Sequence, residues 1–284
     1  MRADELWEEG TRILSGAGIP RPRWESLLLL TRASSLSRER VLAHPETEVE
    51  EKAQALFRVW VRRRAGREPL AYVLGEAEFM SRPFLVTPAC LIPRPETELL
   101  VEASQEFLAS RAFSGGRVAD VGTGSGVIAV SLALSFPSLV VYATDLSPEA
   151  LEVARQNARL HGVEERIIFL AGDLLEALPS FLRRSLLLLV SNPPYVREGE
   201  WESLPPEVRR EPREALVAGP RGTEVIERLV FGAREFLLPG GMLALEIGLR
   251  QGPTVRSFLR RAGYSRWEVR RDHAGRERVV LAWL

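Results

Sequence analysis

The sequence is poor in the side chains that hold metal ions or form disulfides. It has one cysteine, Cys90, so an internal disulfide and a multi-cysteine metal site are excluded. Its three histidines, His44, His161 and His273, lie far apart without the spacing of metal ligands. We therefore expect no bound metal.

The charge balance argues against a second group of functions. Lys plus Arg and Asp plus Glu number 38 each, and Lys52 is the only lysine. A chain without net charge lacks the electrostatic footprint of a nucleic-acid-binding or membrane-binding protein. There is no basic-then-apolar leader and no run of about 18 apolar residues. We expect a cytoplasmic monomer with no direct nucleic-acid or membrane partner.

Asparagine is also scarce, and one of the two asparagines begins the tetrapeptide NPPY at 192–195. The apolar run 186–191 before it predicts a buried strand of a parallel sheet. Neither proline can donate an N–H to a sheet, so we expect a rigid turn with the Asn192 side-chain oxygen and the Pro193 carbonyl facing outward. With the flat ring of Tyr195, these acceptors suit a planar group that carries two N–H bonds. The alternative is an ordinary proline turn with Tyr195 packed in the core.

The chain divides into three stretches. Residues 1–75 have helical apolar spacing, with 13 basic and 11 acidic residues, and predict a small helical domain. This domain is either an accessory or dimerisation domain or a docking module for a macromolecular substrate. Residues 76–92 predict a β-hairpin linker. Residues 93–284 alternate strand and helix, which predicts a doubly wound, mostly parallel α/β sheet with ligands at the carboxyl ends of its strands.

The apolar patterns predict individual elements. The helices predicted with clear bounds are 24–33, 48–64, 127–134, 148–160 and 224–237. The predicted strands of the larger domain are 117–121, 139–144, 167–170, 186–190, 241–247, 265–270 and 278–283. Ser147 is expected to cap the helix that begins at Pro148. Residues 197–223 are long, charged and rich in proline, and we expect them to order against a protein substrate.

A glycine-rich loop follows the first predicted strand. Gly122, Gly124 and Gly126, with Thr123 among them, allow a sharp turn and a close approach of the backbone to a ligand. Asp145 ends the next strand, where a carboxylate can accept from both hydroxyls of a ribose. These residues predict nucleoside binding, which is common to NAD-dependent dehydrogenases and to S-adenosylmethionine-binding sheets.

Charge favours one of these nucleosides. Asp120, just before the glycine loop, would repel a pyrophosphate but suits the amino group and sulfonium of S-adenosylmethionine. Asp173, after the third strand, is placed to accept from the adenine amino group, with Leu174 beside it, although a helix cap is an alternative for Asp173. We expect S-adenosylmethionine as the cofactor and S-adenosylhomocysteine as its product.

These motifs together resemble a class I S-adenosylmethionine-dependent methyltransferase. The matching residues are, in chain order, DVGTGSG at 120–126, Asp145, Asp173 and NPPY at 192–195. The resemblance implies a Rossmann-like doubly wound sheet preceded by a small all-helical domain. NPPY alone is not specific, because enzymes that methylate exocyclic amines of nucleic-acid bases use similar motifs.

Three further stretches are similar to the HemK/PrmC family: IPRPETE at 92–98, EPREAL at 211–216 and DHAGRER at 272–278. Members of this family methylate the side-chain amide of the glutamine in the Gly-Gly-Gln motif of class-one peptide-chain release factors. The resemblance covers nearly the whole chain and implies these release factors as partners. The alternatives are an amine methyltransferase acting on an adenine-type base and a non-catalytic adaptor that binds S-adenosylmethionine.

The implied chemistry gives roles to the NPPY turn. An amide nitrogen is a poor nucleophile because its lone pair is delocalised into the carbonyl. Asn192 and Pro193 would accept its two N–H bonds and favour the charge that develops on it, while Tyr195 packs on the amide plane. We expect these three residues to be catalytic, and Asn192 to contact the cofactor as well. The expected substrate-binding residues are these three with Pro194, Arg94 and Glu246. Arg94 could instead pin the acidic residues that follow it.

Overall fold

The computed structural model describes residues 1–111 and 115–284. They form two compact units, each with its own hydrophobic core. Unit 1 comprises Met1–Glu76 and Pro205–Arg210, and unit 2 comprises Ala77–Leu204 and Glu211–Leu284. Within the described ranges, we find no helix with both the length and the apolar character needed to cross a bilayer.

Unit 1 is built from helices. They are α1 (Ala3–Gly16), α2 (Pro22–Ser34), α3 (Arg38–Ala43), α4 (Glu51–Ala65) and α5 (Leu70–Leu74). The predictions for α2 and α4 are confirmed, but α4 begins at Glu51 rather than at residue 48. The reason is that the preceding residues pair with the start of the chain, where the Val49 N–H donates to the Met1 carbonyl at 3.0 Å. The short helices α3 and α5 were not predicted, because a few residues carry too little periodicity.

A buried ion pair lies within unit 1. Arg64 on α4 is only 5% exposed, and its Nε donates to Glu25 Oε2 of α2 at 2.6 Å. Glu207, from the stretch Pro205–Arg210, lies 3.2 Å from Arg64 and 3.0 Å from Arg67. Removing one partner would leave an uncompensated charge in a dry environment, so these side chains tie the short stretch to the helices.

The hairpin predicted after residue 75 is present as β1 (Glu76–Phe79) and β2 (Arg82–Leu85). Its turn is at Met80 and Ser81, which both have positive φ angles, 50° and 57°. The next helix is α6 (Pro95–Ala109), and the backbone N–H of Met80 donates to Glu98 in its first turn at 2.7 Å. The hairpin is therefore attached to the start of α6.

Unit 2 contains a sheet that, in the described part of the chain, has seven strands in the order β10-β11-β9-β6-β3-β4-β5. These strands are β3 (Gly116–Val121), β4 (Leu139–Asp145), β5 (Ile167–Ala171), β6 (Leu186–Ser191), β9 (Leu237–Glu246), β10 (Arg266–Arg271) and β11 (Glu277–Trp283). Strands β9, β6, β3, β4 and β5 run parallel, whereas β11 is antiparallel to both β9 and β10. The predicted doubly wound, mostly parallel sheet is confirmed.

Helices cover both faces of this sheet. They are α6 with α7 (Val127–Ser135) and α8 (Pro148–Leu160) in one core, and α9 (Glu224–Phe236) and α10 (Gly252–Ala262) in the other. Ser147 caps α8 as predicted, since its Oγ accepts from the Ala150 N–H at 3.1 Å. Helix α10 was not predicted. A two-stranded ladder of β7 (Val196–Arg197) and β8 (Val217–Gly219) lies between β6 and α9 in the chain.

The order in which the chain adds strands to the sheet indicates where a ligand can bind. Strand β3 lies between β6 and β4, and the chain continues to β4 on one side of it but places β6 on the other. At such a reversal the loops after the two central strands diverge and leave a crevice. The loops concerned begin at Gly122 after β3 and at Asn192 after β6.

One prediction concerns the close packing of α1. A Cβ at Gly10 would collide with Ser26 Oγ and lie 2.5 Å from Phe57 Cζ, whereas a Cβ at Gly16, also on α1, would meet nothing within 4 Å. We expect Gly10→Ala to lower the free energy of unfolding by about 1–3 kcal/mol, because overpacking forces neighbouring side chains apart. Gly16→Ala should be neutral or stabilising by up to ~1 kcal/mol.

Hydrogen exchange of the α1 amides in increasing denaturant measures the free energy of unfolding of this helix for each variant in the full chain. Equal protection in Gly10→Ala and Gly16→Ala would contradict the close packing.

Candidate functional site

The glycine loop after β3 uses backbone conformations that favour glycine. Gly122, Gly124 and Gly126 have φ angles of 74°, 56° and 83°. A Cβ at Gly122 or Gly124 would meet nothing within 4 Å, so these two positions face open space. A Cβ at Gly126 would lie 3.0 Å from the Cβ of Ala154 on α8. Gly126 is therefore needed for helix packing, and the first two glycines form the open surface.

Asp145, the last residue of β4, faces this loop. Its Oδ2 accepts from the Gly124 N–H at 2.8 Å, and its Oδ1 accepts from the Ser147 N–H at 2.9 Å. Burial raises the pKa of Asp145, and the backbone N–H groups oppose this rise. Each carboxylate oxygen keeps a lone pair, so the side chain can accept further hydrogen bonds from a ligand.

Asp120 lies beneath the loop rather than on its surface. It is fully buried, and its Oδ2 accepts from Thr123 Oγ1 at 2.6 Å and from the Ala129 N–H at 3.1 Å. Its Oδ1 has no hydrogen-bond partner among the described residues. Burial raises the pKa of Asp120 to about 7. The contacts present in the structure thus hold the loop in shape.

A cavity of about 220 Å³, which we call the glycine-loop cavity, lies at the carboxyl ends of β3, β4 and β6. Among the residues predicted to bind cofactor or substrate, those that line it are Gly122, Gly124, Asp145, Asp173, Leu174, Asn192 and Pro194. Asp120, Thr123 and Gly126 do not line it. The structure thus separates the predicted cofactor residues into a lining layer and a supporting layer.

The sequence patterns missed several parts of this cavity. Cys90 and Leu91, which precede IPRPETE, line it, and burial raises the pKa of Cys90 to about 11. Arg228 on α9 also lines it and forms an ion pair with Asp173 at 2.7 Å. Asp173 does not cap the following short helix, because its side chain accepts no capping hydrogen bond there. No local pattern indicates a pair separated by 55 positions in sequence.

The NPPY turn begins where β6 ends, as predicted. Asn192 Nδ2 donates to Thr97 Oγ1 at 3.0 Å. In the part of the chain that the structure describes, neither Asn192 Oδ1 nor the Pro193 carbonyl accepts a hydrogen bond. The backbone N–H groups of Tyr195 and Val196 both donate to the Leu216 carbonyl, at 3.1 and 2.8 Å. The turn is therefore fixed, and its two predicted acceptors have no partner among the described residues. Asn192 lines the glycine-loop cavity, whereas Pro193 is buried and does not line it.

Tyr195 faces a second cavity of about 590 Å³, which we call the tyrosine cavity. Four arginines line it as well: Arg94, Arg197, Arg250 and Arg278. Burial raises the pKa of Tyr195, and its hydroxyl donates to Glu246 Oε1 at 3.2 Å. The NPPY turn thus borders both cavities, with Asn192 and Pro194 on one and Tyr195 on the other.

Arg94 has a partner that the sequence did not identify. It forms an ion pair with Glu211, the first residue of EPREAL, and Glu211 also accepts from the Ile92 N–H at 3.0 Å. The alternative prediction, that Arg94 pairs with the acidic residues that follow it, is wrong, because its acidic partner is Glu211. Glu211 is buried, so the pair joins IPRPETE to EPREAL beside the tyrosine cavity.

Glu246 lines neither cavity, although it was expected to contact substrate. It ends β9, it is fully buried, and its Oε2 accepts from Thr97 Oγ1 at 2.7 Å. Burial raises its pKa to about 7. Its contacts to Thr97 and Tyr195 place it behind the NPPY turn. No sequence pattern links Thr97 to Glu246, because the two residues are separated by 149 positions.

Gln251, just before α10, is a second supporting residue that was missed. Its Nε2 donates to the Tyr195 carbonyl at 3.0 Å and to the Gly222 carbonyl at 2.8 Å. Its Oε1 accepts from the Gly248 N–H at 2.8 Å. A single buried amide therefore joins the NPPY turn to two loops.

Two family models match this chain. The PrmC N-terminal domain matches residues 5–75, and the methyltransferase small domain matches residues 95–219. The release factor glutamine methyltransferase of Moorella thermoacetica is 46% identical over 276 residues, which are 97% of this chain and 96% of that protein. The release factor glutamine methyltransferase of Deinococcus radiodurans is 41% identical over 284 residues, covering 99% and 98% of the two chains.

Solved structures share the fold at low sequence identity. The N-terminal domain of human METTL16 in complex with SAH is 13% identical, with a TM-score of 0.54 over 89% of this chain and 93% of that one. A methyltransferase from Pyrococcus furiosus is 19% identical, with a TM-score of 0.51 over 70% and 87% of the two chains. The sheet is thus that of the class I methyltransferases.

A prediction follows from the burial of Asp120. Its folded-state pKa of about 7 lies above the ordinary value of 3.8, so between these values the folded protein binds a proton that the unfolded chain does not. This contribution to stability is complete at low pH and is lost as the pH rises to about 7. In wild type, the free energy of unfolding should fall by as much as ~1.4 kcal/mol for each pH unit within that window.

Asp120→Asn keeps the shape of the side chain and removes the titration. Urea unfolding between pH 4.5 and 7.5 should show a smaller loss of stability in the variant than in wild type. If the free energy of unfolding fell equally with pH in wild type and variant, the raised pKa would not belong to Asp120.

Proposed function

Since this chain belongs to the release factor glutamine methyltransferase family, we propose that it transfers a methyl group from S-adenosylmethionine to a glutamine side-chain amide of class-one peptide-chain release factors. The acceptor is the glutamine of their Gly-Gly-Gln motif. The observation that carries the proposal is the position of the NPPY turn, which borders both cavities. A methyl group transferred from a donor in the glycine-loop cavity to an acceptor in the tyrosine cavity would pass this turn.

The glycine-loop cavity suits the methyl donor. Gly122 and Gly124 leave open space for a ligand against the backbone, and the Asp145 carboxylate can accept from ribose hydroxyls. Asp173 and Leu174 lie at the same cavity, where they would contact the adenine. When bound, S-adenosylmethionine supplies an electrophilic methyl group on a sulfonium. The residues Asp120, Thr123 and Gly126 support the loop from beneath.

The NPPY turn prepares the acceptor nitrogen. Asn192 Oδ1 and the Pro193 carbonyl accept its two N–H bonds and so hold the glutamine amide in one orientation. They also stabilise the positive charge that develops on the nitrogen during transfer. Tyr195, held through its hydroxyl by Glu246, packs against the amide plane. No strong base is required first, because the pKa of the nitrogen falls as it is alkylated. The methyl–sulfur bond would break as the methyl–nitrogen bond forms, S-adenosylhomocysteine would leave, and the nitrogen would lose one proton to water.

The tyrosine cavity is the proposed entrance for the acceptor loop. Arg94 lines this cavity, whereas Pro194 of the turn lines the glycine-loop cavity, and the arginines around Tyr195 can donate to backbone carbonyls of a peptide. We assign residues 1–75 to docking of the release factor, residues 76–92 to a linker and residues 93–284 to methyl transfer. We further propose that a single copy of the chain carries out the reaction, with no contact to nucleic acid.

Methyl transfer from labelled S-adenosylmethionine to a purified class-one release factor tests the proposal directly. We expect label in the intact factor and none in a factor whose Gly-Gly-Gln glutamine is replaced by alanine. Label in both factors would place the modification elsewhere. Label on DNA or RNA instead of the release factor would mean that the NPPY turn acts on a base amine.

A pair of variants separates the two sides of the turn. Asn192→Ala should lower kcat by roughly 100- to 1000-fold, because it removes an acceptor for the charged nitrogen, while S-adenosylmethionine still binds. Asp145→Ala should instead weaken S-adenosylmethionine binding in calorimetry. Loss of cofactor binding in Asn192→Ala as well would favour a purely structural turn.

A further inference from the structure

The hydrogen bonds behind Asn192 form a chain of three side chains. Asn192 Nδ2 donates to Thr97 Oγ1 at 3.0 Å, and Thr97 Oγ1 donates to Glu246 Oε2 at 2.7 Å. Thr97 is 2% exposed and Glu246 is fully buried, so water does not compete for these bonds. The chain joins the first turn of α6, the end of β9 and the turn after β6.

The direction of these bonds follows from the number of protons available. An ionised carboxylate has only acceptors, and a threonine hydroxyl has one proton. Thr97 must give that proton to Glu246, so it can only accept from Asn192. The amide therefore turns its Nδ2 toward Thr97 and its Oδ1 away from it. Without this constraint, the two ends of an asparagine amide are nearly equivalent in shape.

Protonation of Glu246 removes the constraint. A protonated carboxyl can donate to Thr97, and the Thr97 hydroxyl can then donate to Asn192. The amide is then free to present its NH2 group where its oxygen was. An NH2 group cannot accept from the N–H bonds of a substrate amide.

Charged and polar groups from several elements act on Glu246. Burial raises its pKa to about 7, the bonds from Thr97 and Tyr195 and the charge of Arg278 on β11 oppose the rise, and the charge of Glu96 on α6 adds to it. Both protonation states are therefore populated near neutral pH.

We propose that Thr97 and Glu246 are positioning residues that hold the Asn192 amide with its oxygen toward the acceptor nitrogen, and that they do so only while Glu246 is ionised. The consequence for catalysis rests on the proposed function. The orientation of the amide does not, and it can be measured in the protein without any substrate.

Two asparagines in the chain make this measurement simple. Protein labelled with 15N-asparagine gives one side-chain amide pair for Asn192 and one for Asn157, assigned with Asn192→Ser. Asn157 is the internal reference, because its amide is held by Leu85 at 2.7 and 2.9 Å and by Ser125 at 2.8 Å. We expect the Asn192 pair to shift with pH around about 7 and the Asn157 pair to stay constant.

Two variants identify the titrating group. The shift of the Asn192 pair should disappear in Glu246→Gln and persist in Asp120→Asn, because Asp120 is another buried acid with a raised pKa near this edge of the sheet. In Thr97→Val the Asn192 protons should lose their protection from exchange with water. A constant Asn192 signal in wild type, or a titration that survives Glu246→Gln, would overturn the proposal.

Kinetics test the consequence for methyl transfer. Thr97→Val should lower kcat by roughly 10- to 100-fold without weakening S-adenosylmethionine binding, because a misplaced amide holds the nitrogen poorly. Thr97→Ser keeps the hydroxyl and should restore kcat. Wild-type kcat should rise with pH through about 7, and this rise should be absent in Glu246→Gln.

The outcomes separate this inference from the proposed function. Equal loss of kcat in Thr97→Val and Thr97→Ser, with shifted Asn157 signals, would mean that the packing is disturbed and would overturn the positioning role. If wild-type protein methylates no release factor while the Asn192 titration behaves as expected, the proposed function fails and the positioning role stands.

Discussion

An ionised carboxylate can only accept hydrogen bonds, and the arrangement behind the NPPY turn depends on this constraint at Glu246. From Glu246, donor and acceptor roles follow outward through Thr97 to Asn192 and through the Tyr195 hydroxyl. Both ends of the turn are thus oriented by one buried side chain at the end of β9. The backbone of the turn is fixed separately, by the Leu216 carbonyl and by Gln251. The site combines a rigid backbone with side chains whose direction is set electrostatically.

Much of the fold could be predicted from local patterns. Apolar runs gave the strands of the sheet, and Ser147 with Pro148 gave the start of α8, because caps and strand patterns depend on neighbours in sequence. Helix α10 was missed although Val255, Phe258, Leu259 and Ala262 have helical spacing.

Only the residues that line the candidate site could be predicted from the sequence. Gly122, Gly124, Asp145 and Asn192 end strands or follow them, so the sheet topology alone brings them together. Their supports could not be predicted, because Thr97 and Glu246 are separated by 149 positions and Arg94 and Glu211 by 117. Chemical type also misled: a buried acid near a ligand site, such as Asp120, can hold the loop from below instead of lining the cavity.

The stretch Pro205–Arg210 has a consequence for how the chain could be divided. The chain passes from one unit to the other at 76–77, at 204–205 and again at 210–211. A gene fragment that starts at residue 77 would therefore carry six residues that belong to the helices it lacks, among them Glu207 without Arg64 and Arg67. The helical unit is thus not encoded by one continuous stretch of the gene. An exchange of the helical unit between homologues needs three matched junctions instead of one.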